Sequence, residues 1–279
     1  MRYREYRCAA SLSEYISCYW HYEREMGPGD TEEVLPDGFY ELILQRRRAY
    51  VDGATGVLPG GFVVGLLDHP LVLSARTPIA HWSVRFYSWG LTPFGNVQAI
   101  GACRWQDASV VLGPTTSARL AATGRDGADP DAVCAALDHA LLSELLAWTR
   151  DDAVLRAAGH LLRERGGSLS VADLAAACHR SRRQLERDFA VGVGRTPRDV
   201  AARMRFEYAR RLLTCDPDLP LAQVAAEAGY ADQSHLARSF GRYARLRPSE
   251  FVARIRSTEP LPSTDGAFIQ DPSRSPPRR

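Results

Sequence analysis

The sequence contains no lysine, and all 35 of its basic residues are arginine. It also contains no apolar run that approaches the ~20 residues of a membrane-spanning helix. Its first ten residues, MRYREYRCAA, include no apolar segment of the kind that a secretory signal peptide needs. From these absences we expect a cytoplasmic protein with no membrane partner.

Metal-binding and catalytic patterns are missing as well. The six cysteines include no CxxC pair, and no HxH motif of the cupin metal type is present, so His69 and His81 are interpreted as structural. The first half has no nucleophile elbow and no glycine-rich phosphate loop. We therefore expect no metal, no cofactor and no enzymatic activity. The cysteines are predicted to be free thiols, with a redox pair of Cys8 and Cys18 as the alternative.

Charge is divided unevenly along the chain. Residues 1–150 contain 13 arginines and 17 acidic residues, whereas residues 151–256 contain 19 arginines and 13 acidic residues. A basic second half indicates a polyanionic partner for that half. From residue 257 the chain is rich in proline, serine and arginine, which predicts a disordered tail over 257–279.

The first ~110 residues have the pattern of short strands separated by glycine and proline. A strand is predicted at 39–44 after the turn signal PDG, another at 62–67 after PGG, and two more at 71–75 and 81–87. Residues 11–22 are predicted to open as a short helix, capped by Ser11 or Ser13. The pattern favours a small barrel or sandwich.

An amphipathic helix is predicted over residues 131–150. Its apolar residues recur three or four positions apart and form one stripe, made of Val133, Leu137, Leu141, Leu145 and Trp148. Two interpretations stay open, since the stripe could pack on its own domain or form a dimer interface. With this helix at its end, a sensor or dimerisation domain is predicted over 1–150.

The second half contains one pattern twice. RSRRQLERDF at 180–189 and ADQSHLARSF at 231–240 share a Leu-x-Arg-x-Phe ending, and each is followed by a proline that can start a helix. This duplication predicts two helix-turn-helix units in an all-α domain over 151–256, joined by a helix at 199–213. The expected fold class is α+β with two domains. The N-terminal domain is barrel-like and ends in a helix, and the C-terminal domain is a tandem helix-turn-helix.

Helical spacing separates a buried face from an exposed face in each unit. Leu185 and Phe189 are expected to point inward in the first unit, and Leu236 and Phe240 in the second. Exposed arginine can bind guanine O6 and N7, and glutamine can bind adenine. The predicted base-contacting residues are Arg182, Arg183, Glu186, Arg187, Gln233, Ser234, His235 and Arg238. Glu186 has an alternative role as the ion-pair partner of Arg182 or Arg183.

Phosphate contacts are expected where the two proline-initiated helices begin, because free N–H groups at a helix start favour anions. The residues at these two places are Arg195, Thr196, Arg198, Arg247 and Ser249. Together with the exposed arginines, they predict double-stranded DNA as the partner.

The segments SLSVADLAAACHRSRRQLERDFAVGVGRTP and LPLAQVAAEAGYADQSHLARSFGRYARLRPSEF resemble the DNA-binding domain of AraC/XylS-family transcription regulators. The resemblance implies a transcription regulator of the activator type that contacts two successive major-groove segments. It also implies RNA polymerase and a second copy of the chain as partners. One position departs from the family pattern, since Arg245 stands where glycine is usual, as at Gly194. If that position has a positive φ, Arg245 is strained.

The N-terminal half is similar, more loosely, to a sensor-like domain found upstream of some regulators in this family. The matching pieces are YREYR, VLPDGFYELIL, LPGGFVVG and WSVRFYSWGLTPF. The resemblance implies a barrel that binds a small-molecule effector, although a domain that only dimerises or binds a protein is the alternative. The residues predicted to line a barrel mouth and bind an aromatic or anionic effector are Tyr40, Trp82, Arg85, Tyr87 and Trp89.

Overall fold

Two stacked antiparallel sheets form the first part of the chain. The computed structural model describes residues 1–101, 104–123 and 128–257, so the predicted tail beyond Ser257 and Cys103 lie outside the described residues. The strands are β1 (Arg2–Tyr6), β2 (Ile16–Arg24), β3 (Thr31–Val34), β4 (Phe39–Gln45), β5 (Tyr50–Asp52), β6 (Gly56–Val57), β7 (Gly61–Val64), β8 (Leu71–Ala75), β9 (Ile79–Tyr87) and β10 (Trp105–Asp107).

The larger sheet has the strand order β1-β2-β9-β4-β7-β10, and the smaller has the order β3-β8-β5-β6. The predicted β-rich domain is therefore confirmed. Its barrel-like closure is corrected, because over the described strands each sheet is open at both edges. Sheets with one hydrophobic face each can bury those faces by stacking as well as by closing into a barrel.

The larger sheet is buried on both faces. Val84 and Phe86 of β9 are fully buried in a cluster that includes residues of the helices. On the opposite face Trp20 and Phe62 belong to a second cluster, together with Leu73 of the smaller sheet. Burial on both sides explains why strand β4, FYELILQ, is apolar with little alternation.

The predicted helix at 11–22 is wrong over most of its length. A single 3-10 turn spans Ala10–Leu12, and the chain then runs as β2, Ile16–Arg24. The strand is rich in aromatic residues, which pack well on a pleated surface. It also pairs with both β1 and β9, and this tertiary pairing outweighs the capping signal of the two serines.

Helices form the rest of the described chain. They are α1 (Ala108–Leu112), α2 (Pro114–Ala121), α3 (Pro130–Ala147), α4 (Ala153–Glu164), α5 (Val171–Ala177), α6 (Arg182–Gly192), α7 (Pro197–Cys215), α8 (Leu221–Glu227), α9 (Gln233–Tyr243) and α10 (Pro248–Arg256). The stripe of α3 packs on its own domain, with Leu137 and Leu141 fully buried. Asp138 fixes this helix by accepting from the Tyr19 hydroxyl at 2.8 Å.

The two predicted helix-turn-helix units are present as α5–α6 and α8–α9. Leu185 and Phe189 are buried in the first unit, and Leu236 and Phe240 in the second, as their spacing predicts. Ser181 starts α6 with a capping box, in which its side chain accepts from the Gln184 backbone N–H. The long helix α7 connects the units.

Each unit contains two backbone positions with positive φ, and glycine occupies only one of the two. In the first unit these are His179, with φ 52°, and Gly194, with φ 66°. In the second unit they are Gly229, with φ 72°, and Arg245, with φ 57°. The strain expected at Arg245 is thus real, and each unit carries one strained non-glycine residue.

Substitutions at Gly194 and Arg245, the equivalent positions after α6 and α9, test this strain. We predict that Gly194→Ala lowers the free energy of unfolding by about 1 kcal/mol and that Arg245→Gly raises it by about 0.5 kcal/mol. An added Cβ at Gly194 has no atom nearer than 3.7 Å, so backbone conformation is the main variable. Urea unfolding midpoints of the full chain measure both changes, and shifts in the same direction would contradict the explanation.

Candidate DNA-binding interface

The exposed face of α6 has the arginines that its spacing predicts. Arg182, Arg183 and Arg187 are exposed, while Glu186 is half-buried between two turns of the helix. Arg182 Nε donates to Glu186 Oε1 at 2.9 Å, an ion pair four residues apart. Glu186 therefore holds Arg182 along the helix, and Arg183 and Arg187 are left to face a partner.

The equivalent face of α9 is nearly neutral. Gln233, Ser234 and Arg238 are exposed, and His235 is half-buried. The His235 ring makes an edge contact with the Tyr230 ring at 5.1 Å between centroids. His235 is thus partly occupied by packing, and Gln233 and Arg238 are the longest free side chains on this face.

The starts of α7 and α10 differ from one another. Thr196 caps α7 by accepting from the Asp199 backbone N–H at 3.1 Å, and Arg198 is exposed beside it. At the start of α10, Arg247 and Ser249 are both exposed. These four residues lie where the sequence predicts phosphate contacts.

Arg195 does not lie open beside them. Its guanidinium donates to the Leu66 carbonyl at 3.3 Å and lies 3.8 Å from the Asp68 carboxylate. Only 22% of its side chain is exposed. The prediction of a free phosphate-binding arginine at this position is therefore corrected, because a carboxylate of the N-terminal domain occupies it.

The N-terminal domain also caps the end of the first recognition helix. The last carbonyls of a helix have no partner within the helix. Here Gln98 Nε2 donates to the carbonyls of residues 190 and 191 at 2.7 and 3.1 Å, and the Tyr40 hydroxyl donates to that of residue 193 at 2.6 Å. The Thr92 hydroxyl donates to the carbonyl of residue 192. Three side chains of the N-terminal domain thus hold the C-terminal end of α6.

Asp68 connects the N-terminal domain to both helix-turn-helix units. Its Oδ1 accepts from Arg203 at 2.7 Å and from Arg242 at 3.0 Å, while Arg195 approaches Oδ2. Burial alone would raise the pKa of Asp68, but the three guanidinium groups, Arg203 foremost, hold that pKa below its usual value. Sequence reasoning missed this cluster, because nothing in the segment GLLDHP indicates its partners.

A second set of contacts lies on the other side of the same interface. Glu207 of α7 accepts from the Gly38 backbone N–H at 3.2 Å and from Arg163 at 3.3 Å. The Arg163 guanidinium lies 4.2 Å from the centroid of the Phe39 ring. The domain interface is therefore extensive and combines polar and aromatic contacts.

The five predicted effector-binding residues do not meet in one barrel mouth. Trp82 is buried on the helix-facing side of β9, whereas Arg85 is buried on the other face and pairs with Glu41. Tyr40 is used to cap α6, and Trp89 Nε1 donates to the Glu14 carbonyl at 3.0 Å. Tyr87 stacks on Trp89 with 4.7 Å between ring centroids. The predicted site is corrected, because residues an odd number apart on a strand face opposite sides.

The part of the chain that the structure describes was also compared with the requirements for a metal site, a membrane-spanning helix and a disulfide. No group of three or more His, Cys, Asp or Glu side chains there could hold a metal ion. None of the described helices is long and apolar enough to span a membrane. The five described cysteines form no disulfide with one another.

Each half of the chain matches a known protein family. Residues 174–254 match the family described as "Helix-turn-helix domain", and residues 4–119 match "Domain of unknown function (DUF6597)". A curated AraC-like transcription regulator from Streptomyces antibioticus is 34% identical over 110 residues, which are 39% of this chain and 36% of that protein.

These matches confirm the resemblance of the chain to AraC/XylS-family transcription regulators. The curated relative is matched over only about a third of its length, and the matched family of residues 4–119 has no assigned function.

Two solved structures are similar to this chain. ToxT from Vibrio cholerae is 13% identical to this chain, with a TM-score of 0.46. The aligned region covers 84% of this chain and 98% of the ToxT chain. A transcriptional regulator from Chromobacterium violaceum, described as an AraC-type DNA-binding domain-containing protein, is 27% identical, with a TM-score of 0.35. The aligned region covers 38% of this chain and 94% of the regulator's chain.

Substitution of the exposed arginines of α6 tests the candidate interface. We predict that Arg183→Ala combined with Arg187→Ala weakens binding to a specific duplex by at least about tenfold, since each bidentate arginine contributes about 1–3 kcal/mol. Arg76→Ala is the control, because Arg76 is an exposed arginine of the N-terminal domain. Fluorescence anisotropy measures both, and equal losses would contradict the assignment of the recognition face.

Proposed function

We propose that this chain is a sequence-specific DNA-binding regulator that reads two successive major-groove segments with α6 and α9. The observation that carries the proposal is the pair of matched exposed faces, with Arg183 and Arg187 on one and Gln233 and Arg238 on the other. Helix α7 has 19 residues, so at ~1.5 Å per residue it spans roughly 28 Å. With its flanking turns, this length suits recognition helices about one DNA turn, ~34 Å, apart.

We further propose that the N-terminal domain controls how these helices are presented to DNA. Its contacts with the carbonyl end of α6 and its Asp68 cluster bear on both units, which favours control by a small molecule or a partner acting on this domain. A ligand-independent regulator remains the alternative. Dimerisation belongs to the same proposal, since Leu146 of α3 is 85% exposed on a helix whose other face is buried.

Salt dependence tests the proposed mode of DNA binding. Because phosphate contacts release counterions, we predict a steep loss of affinity between about 50 and 200 mM salt. Arg198→Ala, which removes one exposed arginine at the start of α7, is predicted to reduce the slope of log affinity against log salt by about one. Anisotropy titrations on a specific and a scrambled duplex measure this, and a flat response for both duplexes would overturn the proposal.

Substitution of Asp68 tests the proposed control of DNA binding by the N-terminal domain. We predict that Asp68→Asn raises DNA affinity several-fold and steepens the salt slope by about two, because Arg195 and Arg242 are both released for phosphate. Glu25→Gln is the control, because it removes one exposed charge from the same domain without disturbing the cluster. Titrations of the full chain decide between outcomes. Weaker binding by Asp68→Asn, or equal behaviour of the two variants, would contradict the proposal.

A further inference from the structure

We propose that a cavity at the junction of the two halves binds a small organic molecule that has a carboxylate and an apolar body. The cavity has a volume of about 230 Å³ and lies between the segment that follows α3, the first turn of α4 and the end of α6. Ligand pockets for drug-sized molecules run from about 300 to 1,000 Å³, so this one fits a smaller ligand.

The cavity has closely packed walls from three parts of the chain. Thr92 of the N-terminal domain donates its hydroxyl to the Gly192 carbonyl at the end of α6. Leu155 of α4 packs so closely on Gly192 that an added Cβ there would lie 2.4 Å from the leucine Cδ2 atom. A ligand in this space therefore touches the N-terminal domain, the connecting segment and the first helix-turn-helix unit at once.

The acidic side chains around the cavity already have partners. Asp151 accepts from the Ala153 backbone N–H at 3.0 Å, and Asp152 accepts from Arg156 Nε at 2.9 Å. Asp188 lies 3.9 Å from Arg180. Asp152 and Asp188 are thus paired with arginines, and Asp151 is the one carboxylate of the cavity lining that has no ion pair among the described residues.

Three of the polar side chains around the cavity are donors without a hydrogen-bonding or ionic partner in the described part of the chain, and two of them are arginines, so they outnumber the unpaired carboxylate of Asp151. Trp148 Nε1 is buried and has no hydrogen-bond partner among the described residues. Arg150 stacks on the Trp148 ring at 5.6 Å, and within the described chain neither Arg150 nor Arg187 forms an ion pair. A set of donors with two guanidinium groups selects an anionic acceptor, and guanidinium binds both carboxylate and phosphate in a bidentate manner. The small volume and the mainly apolar lining favour the smaller, singly charged carboxylate.

The other lining residues favour an apolar body on that carboxylate. Val154, Leu155 and Val191 contribute aliphatic surface, and the Trp148 ring adds an aromatic wall. We therefore assign the ligand as a small aromatic or aliphatic monocarboxylate, with its charge at the arginines.

Arg187 connects the proposed ligand site to the proposed DNA-binding face. It lines this cavity and also lies on the exposed face of α6 that is proposed to contact bases. A carboxylate that holds Arg187 withdraws it from a base edge, so ligand and specific DNA are expected to compete. This last step rests on the proposed function, whereas ligand binding itself does not.

The indole N–H of Trp148 provides a direct readout of ligand binding. In proton–nitrogen correlation spectra of the full chain, its peak is assigned by its loss in Trp148→Phe. We expect at least one of phenylacetate, hexanoate and cyclohexanecarboxylate to shift this peak saturably below about 10 mM. The matched amides of the same compounds carry no charge, and they are expected to leave the peak in place.

Variants separate the site from a non-specific effect. Arg150→Ala is expected to weaken carboxylate binding about tenfold, whereas Arg76→Ala, far from the cavity, leaves it unchanged. No shift with any of the three carboxylates, equal shifts with carboxylates and amides, or undiminished binding in Arg150→Ala would each overturn the proposal.

DNA titrations on the same samples distinguish the two proposals. Trp148→Phe and Arg150→Ala lie outside the proposed base contacts and are expected to keep DNA affinity. Intact DNA binding without a carboxylate response overturns only the ligand site. Carboxylate binding by a chain that shows no specific DNA binding overturns only the proposed function.

Discussion

The C-terminal end of the first recognition helix is the point on which the arrangement of the two halves depends. A helix ends in carbonyl groups without intrahelical partners and with a partial negative charge. In this protein Tyr40, Thr92 and Gln98 donate to those groups, so the N-terminal domain supplies the cap that local sequence would otherwise provide. Moving α6 relative to the sheets breaks these hydrogen bonds together and exposes unpaired carbonyls, which makes the position of the helix well defined.

The arginines of the second half fall into a buried group and an exposed group, and the two groups have different roles. Arg203 is 1% exposed and is bound to Asp68 and to the Leu67 carbonyl, so its role is to join the halves. Arg183 and Arg187 are exposed and have no acidic partner among the described residues. The charge excess of residues 151–256 is thus divided between an internal interface and an outer face. Net charge alone could not separate these uses.

The sequence predicts the parts of the structure that depend on residues close to one another along the chain. The duplicated Leu-x-Arg-x-Phe pattern correctly places the cores of both helix-turn-helix units. The comparison with Gly194 singles out Arg245 as strained if its φ is positive, and its φ of 57° meets that condition. The interface was missed, because Tyr40 and its acceptor are 153 residues apart and periodicity contains no information on such pairs. The predicted effector site is wrong for a simpler reason. Trp82 and Arg85 are three residues apart on one strand, so alternation along the strand places them on opposite faces of the sheet.

The central claim is that α6 and α9 read two segments on one face of the same duplex. Selecting duplexes from a random pool with the full chain, and then mapping protected guanine N7 positions on them, tests it most directly. The account predicts two protected patches on one face, with centres about one helical turn, ~10 base pairs, apart. A single patch, or two patches on opposite faces of the duplex, would contradict it.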